Sequence, residues 1–234
     1  MLRSGGESVG AILSDQLAAH FGVSLSMHDR VVFFVNVPSV VYQTGDHPRD
    51  ARGGYDWESP SGSEFGNVSV GARVALRLPR PGSVGVALSS RFFFPSGDQE
   101  SYVNESSPPS VFSAVVGASE ERWWWAIQVG LAPPFDIWDE DWETFGLGFG
   151  AAFAYFLEQS RRVALGAELR AAQRLDRHGW HEPSVEALAE GRLQLGEGDW
   201  YVSAAAGPGL TRPAGVPLFR ALFGLSFAPG GERP

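Results

Sequence analysis

Apolar and polar positions alternate with a period of two along most of this chain, most clearly in residues 68–94. Even positions are apolar across 68–78, and the same parity continues across 84–94 after a short turn that contains proline and glycine. This pattern predicts a β-hairpin with strands of about ten residues. Its second face carries Arg73, Arg77 and Arg91 among glycine, alanine and serine. Strands of about 9 to 11 residues with one apolar face and one small or polar face are typical of transmembrane β-barrels.

The same alternation predicts eleven strands in the whole chain. Short turns follow the first, third, fifth, seventh and ninth strands, and longer polar loops follow the even-numbered ones. Bacterial outer-membrane barrels have short periplasmic turns and longer extracellular loops, so this order favours such a barrel over a soluble β-sandwich. The predicted strands are 16–27, 31–37, 68–78, 84–94, 112–118, 123–131, 145–157, 163–171, 185–195, 200–206 and 219–227.

Aromatic residues gather at both ends of the predicted strands, as the two interfacial girdles of a membrane barrel require. Trp123, Trp125 and Trp200 begin strands beside short turns, whereas a second group lies near the long loops. Gly146, Gly148 and Gly150 share one face of a single strand, which indicates that this face looks into a confined lumen. Ten apolar residues are predicted to project outward and to be exposed: Val70, Val74, Leu88, Ile127, Val129, Phe149, Leu165, Leu169, Val202 and Phe223.

Composition narrows the class of protein. The chain has 234 residues, of which 44% are hydrophobic, so it can form one large β domain. Its net charge of −9 argues against a nucleic acid partner, because phosphates require clustered Lys and Arg. The sequence therefore predicts an all-β fold, an antiparallel transmembrane β-barrel over 15–228. An N-terminal segment or extracellular loop remnant at 1–14 precedes it, and a C-terminal linker stub at 229–234 follows.

Several short motifs point to a known family. They are SDQL at 14–17, LSMHDR at 25–30, VNVPSV at 35–40, GAR at 71–73, FPSGD at 94–98, GPGL at 207–210 and PLFRA at 217–221. Together they resemble the amino-terminal β-barrel region of large OmpA-family outer-membrane proteins of Gram-negative bacteria. The resemblance implies a structural or anchoring module in the cell outer membrane, in contact with outer-membrane lipid and lipopolysaccharide. It also implies contact with peptidoglycan through a wall-binding domain outside this sequence.

Charged residues on the second face are the candidate functional residues. The predicted lumen-lining set is Arg73, Arg91, Glu168, Arg170, Glu186, Glu190, Arg192 and Arg220. One hypothesis is a passive channel for small solutes, in which these charges line a narrow conduit as charged rings do in other pores. The alternative is a salt-bridged network that fills a closed lumen. That alternative is favoured by bulky residues on the same face: Phe34, Phe93, Phe156, Leu188 and Leu222.

No enzymatic activity, cofactor or metal site is predicted. His178 and His181 are separated by glycine and tryptophan, with no helix to set a ligand spacing. A hydrolase needs a serine paired with a histidine and oriented by an acid, and no local group of that kind stands out. The acidic segment 136–143 could collect divalent cations through carboxylate oxygens, but we interpret it as a solvated surface.

The order of turns and loops also bears on the start of the chain. If the short turns are periplasmic, the strand at 16–27 runs inward and the chain begins on the extracellular side. Bacterial barrels have even strand numbers, and no signal peptide is visible at the amino terminus. We therefore expect one more strand to precede this sequence, in a complete barrel of about twelve strands.

Overall fold

The computed structural model describes residues 2–4, 7–10, 15–44, 63–94, 96, 110–133, 145–176, 179–196, 199–211 and 218–228. Every regular element among these residues is a β-strand. Within the same ranges, no helix is long and apolar enough to cross a membrane. The strands are β1 (Leu2–Ser4), β2 (Glu7–Gly10), β3 (Asp15–Met27), β4 (Val31–Thr44), β5 (Glu64–Phe65), β6 (Val68–Arg77), β7 (Gly85–Phe94), β8 (Ser110–Ser119), β9 (Trp123–Ala132), β10 (Phe145–Phe156), β11 (Val163–Asp176), β12 (Gly179–Trp180), β13 (Ser184–Gln194), β14 (Trp200–Pro208) and β15 (Phe219–Phe227).

Thirteen of the described strands belong to one sheet, and its long strands follow one another in chain order. The two-residue strands β5 and β12 add to the edges of β4 and β11. The remaining eleven strands of the sheet have nine residues or more and match the eleven predicted strands. The pairings with a resolved register are all antiparallel. The prediction of an all-β, antiparallel fold is confirmed.

The chain divides into two compact units. Unit 1 contains Met1–Ala72 and Arg91–Ser110, and unit 2 contains Arg73–Ser90 and Val111–Pro234. In unit 1, β3 pairs with β4 along thirteen register positions, with one irregularity between Leu17 and Ala18. In unit 2, the strands from β8 to β15 pair as consecutive antiparallel neighbours, and β10 and β11 align over twelve positions without a shift.

One face of the long strands in unit 2 is apolar and exposed. Successive strand residues point to opposite faces, so residues of one parity share a face. On β8 to β11 and β13 to β15, that face carries no Asp, Glu, Lys or Arg. Nine of the ten residues predicted to project outward are exposed, and Val70 is half-buried. An exposed apolar face of this extent indicates contact with lipid or with another protein rather than with water.

The short turns contain the backbone geometry that tight hairpins require. His28 and Asp29, between β3 and β4, both have positive φ, at 51° and 56°, and Arg30 N donates to Met27 O at 3.2 Å. Positive φ at both central residues is the conformation of a type I′ turn, whose twist matches the flanking strands. Pro81 and Gly82 follow Arg80 in the next short turn, where Gly82 has a φ of 73° and Ser83 N donates to Arg80 O. The predicted short turns are therefore tight hairpin connections.

One strand is longer than the sequence interpretation had it. The second strand was predicted at 31–37, but β4 continues to Thr44, and Gln43 pairs with Gln16 on β3. Gln43 is only 1% exposed, although it is polar. In the N-terminal segment 1–14, the described residues form a short pair, β1 with β2.

The three glycines of β10 differ in the space that a side chain would have. A Cβ at Gly146 would lie 3.0 Å from the Cβ of Ala132, which is a tight contact. At Gly148 and Gly150 the nearest atoms are 4.0 and 3.8 Å away, so a methyl group fits there. Crowding by the neighbouring strands therefore does not require glycine at those two positions. The effect of the two glycines is to leave space above the second face of β10.

Candidate functional site

Six of the eight predicted lumen residues lie close together on the second face of unit 2. We call them the charged strip: Glu168, Arg170, Glu186, Glu190, Arg192 and Arg220. Arg170 on β11 lies opposite Gly150 on one side and Glu186 on the other, so the strip begins beside the space above β10. Glu190 lies opposite Gly166 and Ala205. The register thus brings β11, β13 and β15 into one charged surface.

Two ion pairs organise the charged strip. Arg170 donates to Glu168 twice, from Nε to Oε1 at 2.6 Å and from Nη2 to Oε2 at 2.9 Å. These two residues are two positions apart on β11, so their side chains leave the same face. Arg220 Nη2 donates to Glu186 Oε1 at 3.1 Å. Its Nε lies 3.0 Å from Oε2, at an angle that does not make a hydrogen bond. Paired contacts of this kind fix both the position and the orientation of each guanidinium.

Gly207 lies on β14 directly opposite Arg220, and the Arg220 side chain crosses β14 to reach Glu186 on β13. Glu186 also bridges to Gly209, which follows the last residue of β14. A Cβ at Gly207 would overlap the carbonyl oxygen of Ala187. The close backbone approach at this position therefore depends on glycine.

The other charged residues make different contacts. The Arg192 guanidinium lies over the ring of Tyr201, with 4.0 Å from Cζ to the ring centroid, which is a cation–π arrangement. In unit 1, Arg91 lies 5.2 Å from the ring centroid of Phe34 and 6.0 Å from that of Phe93. Arg73 is exposed on β6. Each of these two arginines, Arg192 in unit 2 and Arg91 in unit 1, therefore lies against an aromatic ring.

Side chains on the second face are accessible at some positions and buried at others. The side chains of Arg170 and Arg220 are 51% and 39% exposed, although both are ion-paired. The bulky residues Phe34, Phe93, Phe156 and Leu222 are half-buried, and Leu188 is 2% exposed. Both hypotheses thus retain support: the exposed arginines fit a hydrated path, and the buried apolar residues fit a partly filled interior.

The short turns of unit 2 form a network that sequence reasoning missed. Gly82 N donates to Glu120 Oε1 at 3.0 Å, and Arg161 Nη2 donates to Glu120 O at 2.7 Å. The Arg161 guanidinium also lies 5.0 Å from the ring centroid of Phe156. A hydrogen bond to Tyr155 raises the pKa of Arg122 above its ordinary value, so this guanidinium stays charged. The only sequence signal was the polar character of each turn, which does not reveal contacts between turns.

The two histidines and the acidic segment considered in the sequence analysis lie partly outside the described residues. Among the described residues, no group of three or more His, Asp or Glu is placed to hold a metal ion. Trp180 lies in β12, and Gln173 Nε2 donates to His181 O at 3.1 Å, whereas His178 lies outside the described residues. The acidic segment 136–143, considered above for cation binding, lies wholly outside them.

Comparison with known proteins identifies the fold. A crystal structure of an outer membrane channel from Pseudomonas putida F1 is similar, with a TM-score of 0.59 and 12% sequence identity over 89% of this chain and 80% of that chain. No protein-family model and no curated protein matches this chain. Together with the antiparallel strands and the apolar face, the similarity establishes the fold as an antiparallel β-barrel of the outer-membrane type. The OmpA-family resemblance stays a prediction.

Proposed function

We propose that this protein is an outer-membrane barrel whose charged inner face carries a passive, hydrated path for small solutes. The observation that carries the proposal is the exposure of Arg170: its guanidinium is fixed by Glu168, yet half of its side chain remains accessible to water. A charge that lies inside a barrel and keeps contact with water indicates an aqueous interior. The similar structure is that of an outer membrane channel, which points the same way.

The space above β10 also supports a path for small solutes. Gly148 and Gly150 have no side chain and lie on the same face as Arg170, and Gly130 lies opposite Gly148 on β9. Small residues beside fixed charges leave room for water and solute at this part of the inner face. The residues that a solute would meet there are Arg170 and its partner Glu168.

Single-channel recording in planar bilayers tests the proposal. The refolded protein should give discrete conductance steps, and Gly150→Trp should reduce them because the indole would occupy the space beside Arg170. Ala151→Trp is the matched control, since Ala151 is the next residue and lies on the opposite, lipid-facing side. Equal conductance in both variants would contradict a path along this face.

A structural or anchoring module is the second candidate. It is favoured by the buried Leu188 and the half-buried Phe156 on the inner face of unit 2, because side chains of this size take up space that a pore leaves wet. Such a module would contact outer-membrane lipid and lipopolysaccharide, and peptidoglycan through a further domain, without enzymatic activity. In bilayers it would give no conductance steps at any voltage, although the protein inserts.

A further inference from the structure

The inner face of unit 2 carries an excess of positive charge, although the chain as a whole carries −9. Three carboxylates, Glu168, Glu186 and Glu190, lie on it, whereas five arginines share it: Arg73, Arg77, Arg170, Arg192 and Arg220. Five positive and three negative charges leave a balance of +2. This count leaves out the loop end of β11, beyond Ala172.

The ion pairs decide which residues carry the excess. Arg170 is compensated by Glu168, and Arg220 by Glu186. Arg192 lies over Tyr201 and has no carboxylate within ion-pair distance among the described residues. The same is true of Arg73 and Arg77, which lie on one face of β6 with exposed Val74 and Leu76 on the other. Within the described ranges, the charges of this face that lack an ion pair are therefore those of the three arginines and of Glu190.

From this balance we propose that the channel conducts small inorganic anions in preference to cations, with Arg192, Arg73 and Arg77 as the residues that set the preference. The proposal rests on the proposed channel function. Walls of low dielectric constant focus the field of fixed charges along a narrow path, so the charges on that path outweigh those on the outside of the molecule. Arg192 is the best-placed of the three, because the Tyr201 ring holds its guanidinium in one position on β13.

The expected effect of one charge follows from Coulomb's law. At roughly 10 Å in water, a unit charge changes the local concentration of a monovalent ion by about twofold before screening, and salt reduces this further. Changing one charge on the inner face should therefore change the ratio of chloride to potassium permeability by about 1.5- to 2-fold. Two charge changes of opposite sign at neighbouring positions should cancel.

Glu190 and Arg192 provide the matched pair for the test, since they lie two residues apart on β13 and share a face. The measurement is the reversal potential of the full chain in planar bilayers under a tenfold gradient of potassium chloride. The unchanged protein should favour chloride, Arg192→Gln should lower the chloride-to-potassium ratio, and Glu190→Gln should raise it. The double variant should return to the original ratio. Heat-dependent gel migration checks that every variant has folded.

The outcomes separate this proposal from the channel function on which it rests. Conductance with a preference for potassium, or single variants that shift the ratio in the same direction, would overturn the anion preference and leave the channel intact. A folded, inserted protein that gives no conductance steps would overturn both. A ratio that shifts in opposite directions for the two variants and returns in the double variant would support the assignment.

Discussion

Replacing Val129 with arginine tests most sharply which face of the sheet contacts lipid. Val129 is 51% exposed and lies between Ala114 and Phe149 on the neighbouring strands, whereas the adjacent Gln128 points to the inner face. Val129 comes six residues after Trp123 on β9. With about 3.4 Å per residue and a tilt of about 40°, it lies roughly 15 Å from the interface that Trp123 would mark. That depth is the middle of a hydrocarbon core about 30 Å thick.

The free-energy cost of Val129→Arg follows from this depth. Arginine on the lipid face near the midplane costs about 2 to 4 kcal/mol, which lowers the folding equilibrium constant by about 30- to 1000-fold. Gln128→Arg places the same charge at the same depth on the inner face, where the side chain of Arg170 is already half exposed, so its cost should stay below about 1 kcal/mol. Urea-dependent folding into lipid vesicles, followed by tryptophan fluorescence, measures both values. Equal costs for the two variants would refute the assignment of the faces.

Two further predictions concern the strands and the turns. Gly166→Ala should destabilise the fold by about 1 to 3 kcal/mol, because its Cβ would lie 2.5 Å from the Phe153 carbonyl oxygen. Gly148→Ala, with 4.0 Å of space, should be nearly neutral in the same urea titration; an equal loss would show that crowding is not the cause. Arg161→Ala should cost about 1 to 2 kcal/mol through its lost bonds to the turn at Glu120. An unchanged urea midpoint would mean that this network does not stabilise the short-turn end.

Parity was the most reliable information in the sequence. Because strand side chains alternate strictly between faces, the pattern predicted the strand count and the outward position of residues such as Leu88 and Phe223. It failed at Gln43, where a buried polar residue continues β4 and the apolar pattern no longer marks the strand. Val70 was predicted to be exposed and is half-buried.

The sequence predicted which face of the sheet carries the residues of the candidate site, but it did not predict which of these residues contact each other. The alternation placed Glu186 and Arg220 on the same side of the sheet as the other charged residues. Their ion pair crosses β14 between residues 34 positions apart, and it depends on the register of three strands. A one-residue change of register would break it, and the sequence contains no signal that determines this register. The contacts between Arg161 and Glu120 escaped prediction for the same reason.

The central claim is a membrane-embedded barrel with a hydrated inner face, and the absence of cysteine from the chain permits a direct measurement. Gln128→Cys and Val129→Cys each introduce one thiol, at adjacent positions of β9 on opposite faces. After folding into lipid vesicles, each variant is treated with a small, charged, water-soluble thiol reagent, and both are treated again after unfolding. The account predicts rapid labelling of Cys at 128, none at 129, and complete labelling of both when unfolded. Labelling at 129 would contradict the lipid-facing assignment, and a thiol at 128 that reacts only after unfolding would contradict the hydrated interior.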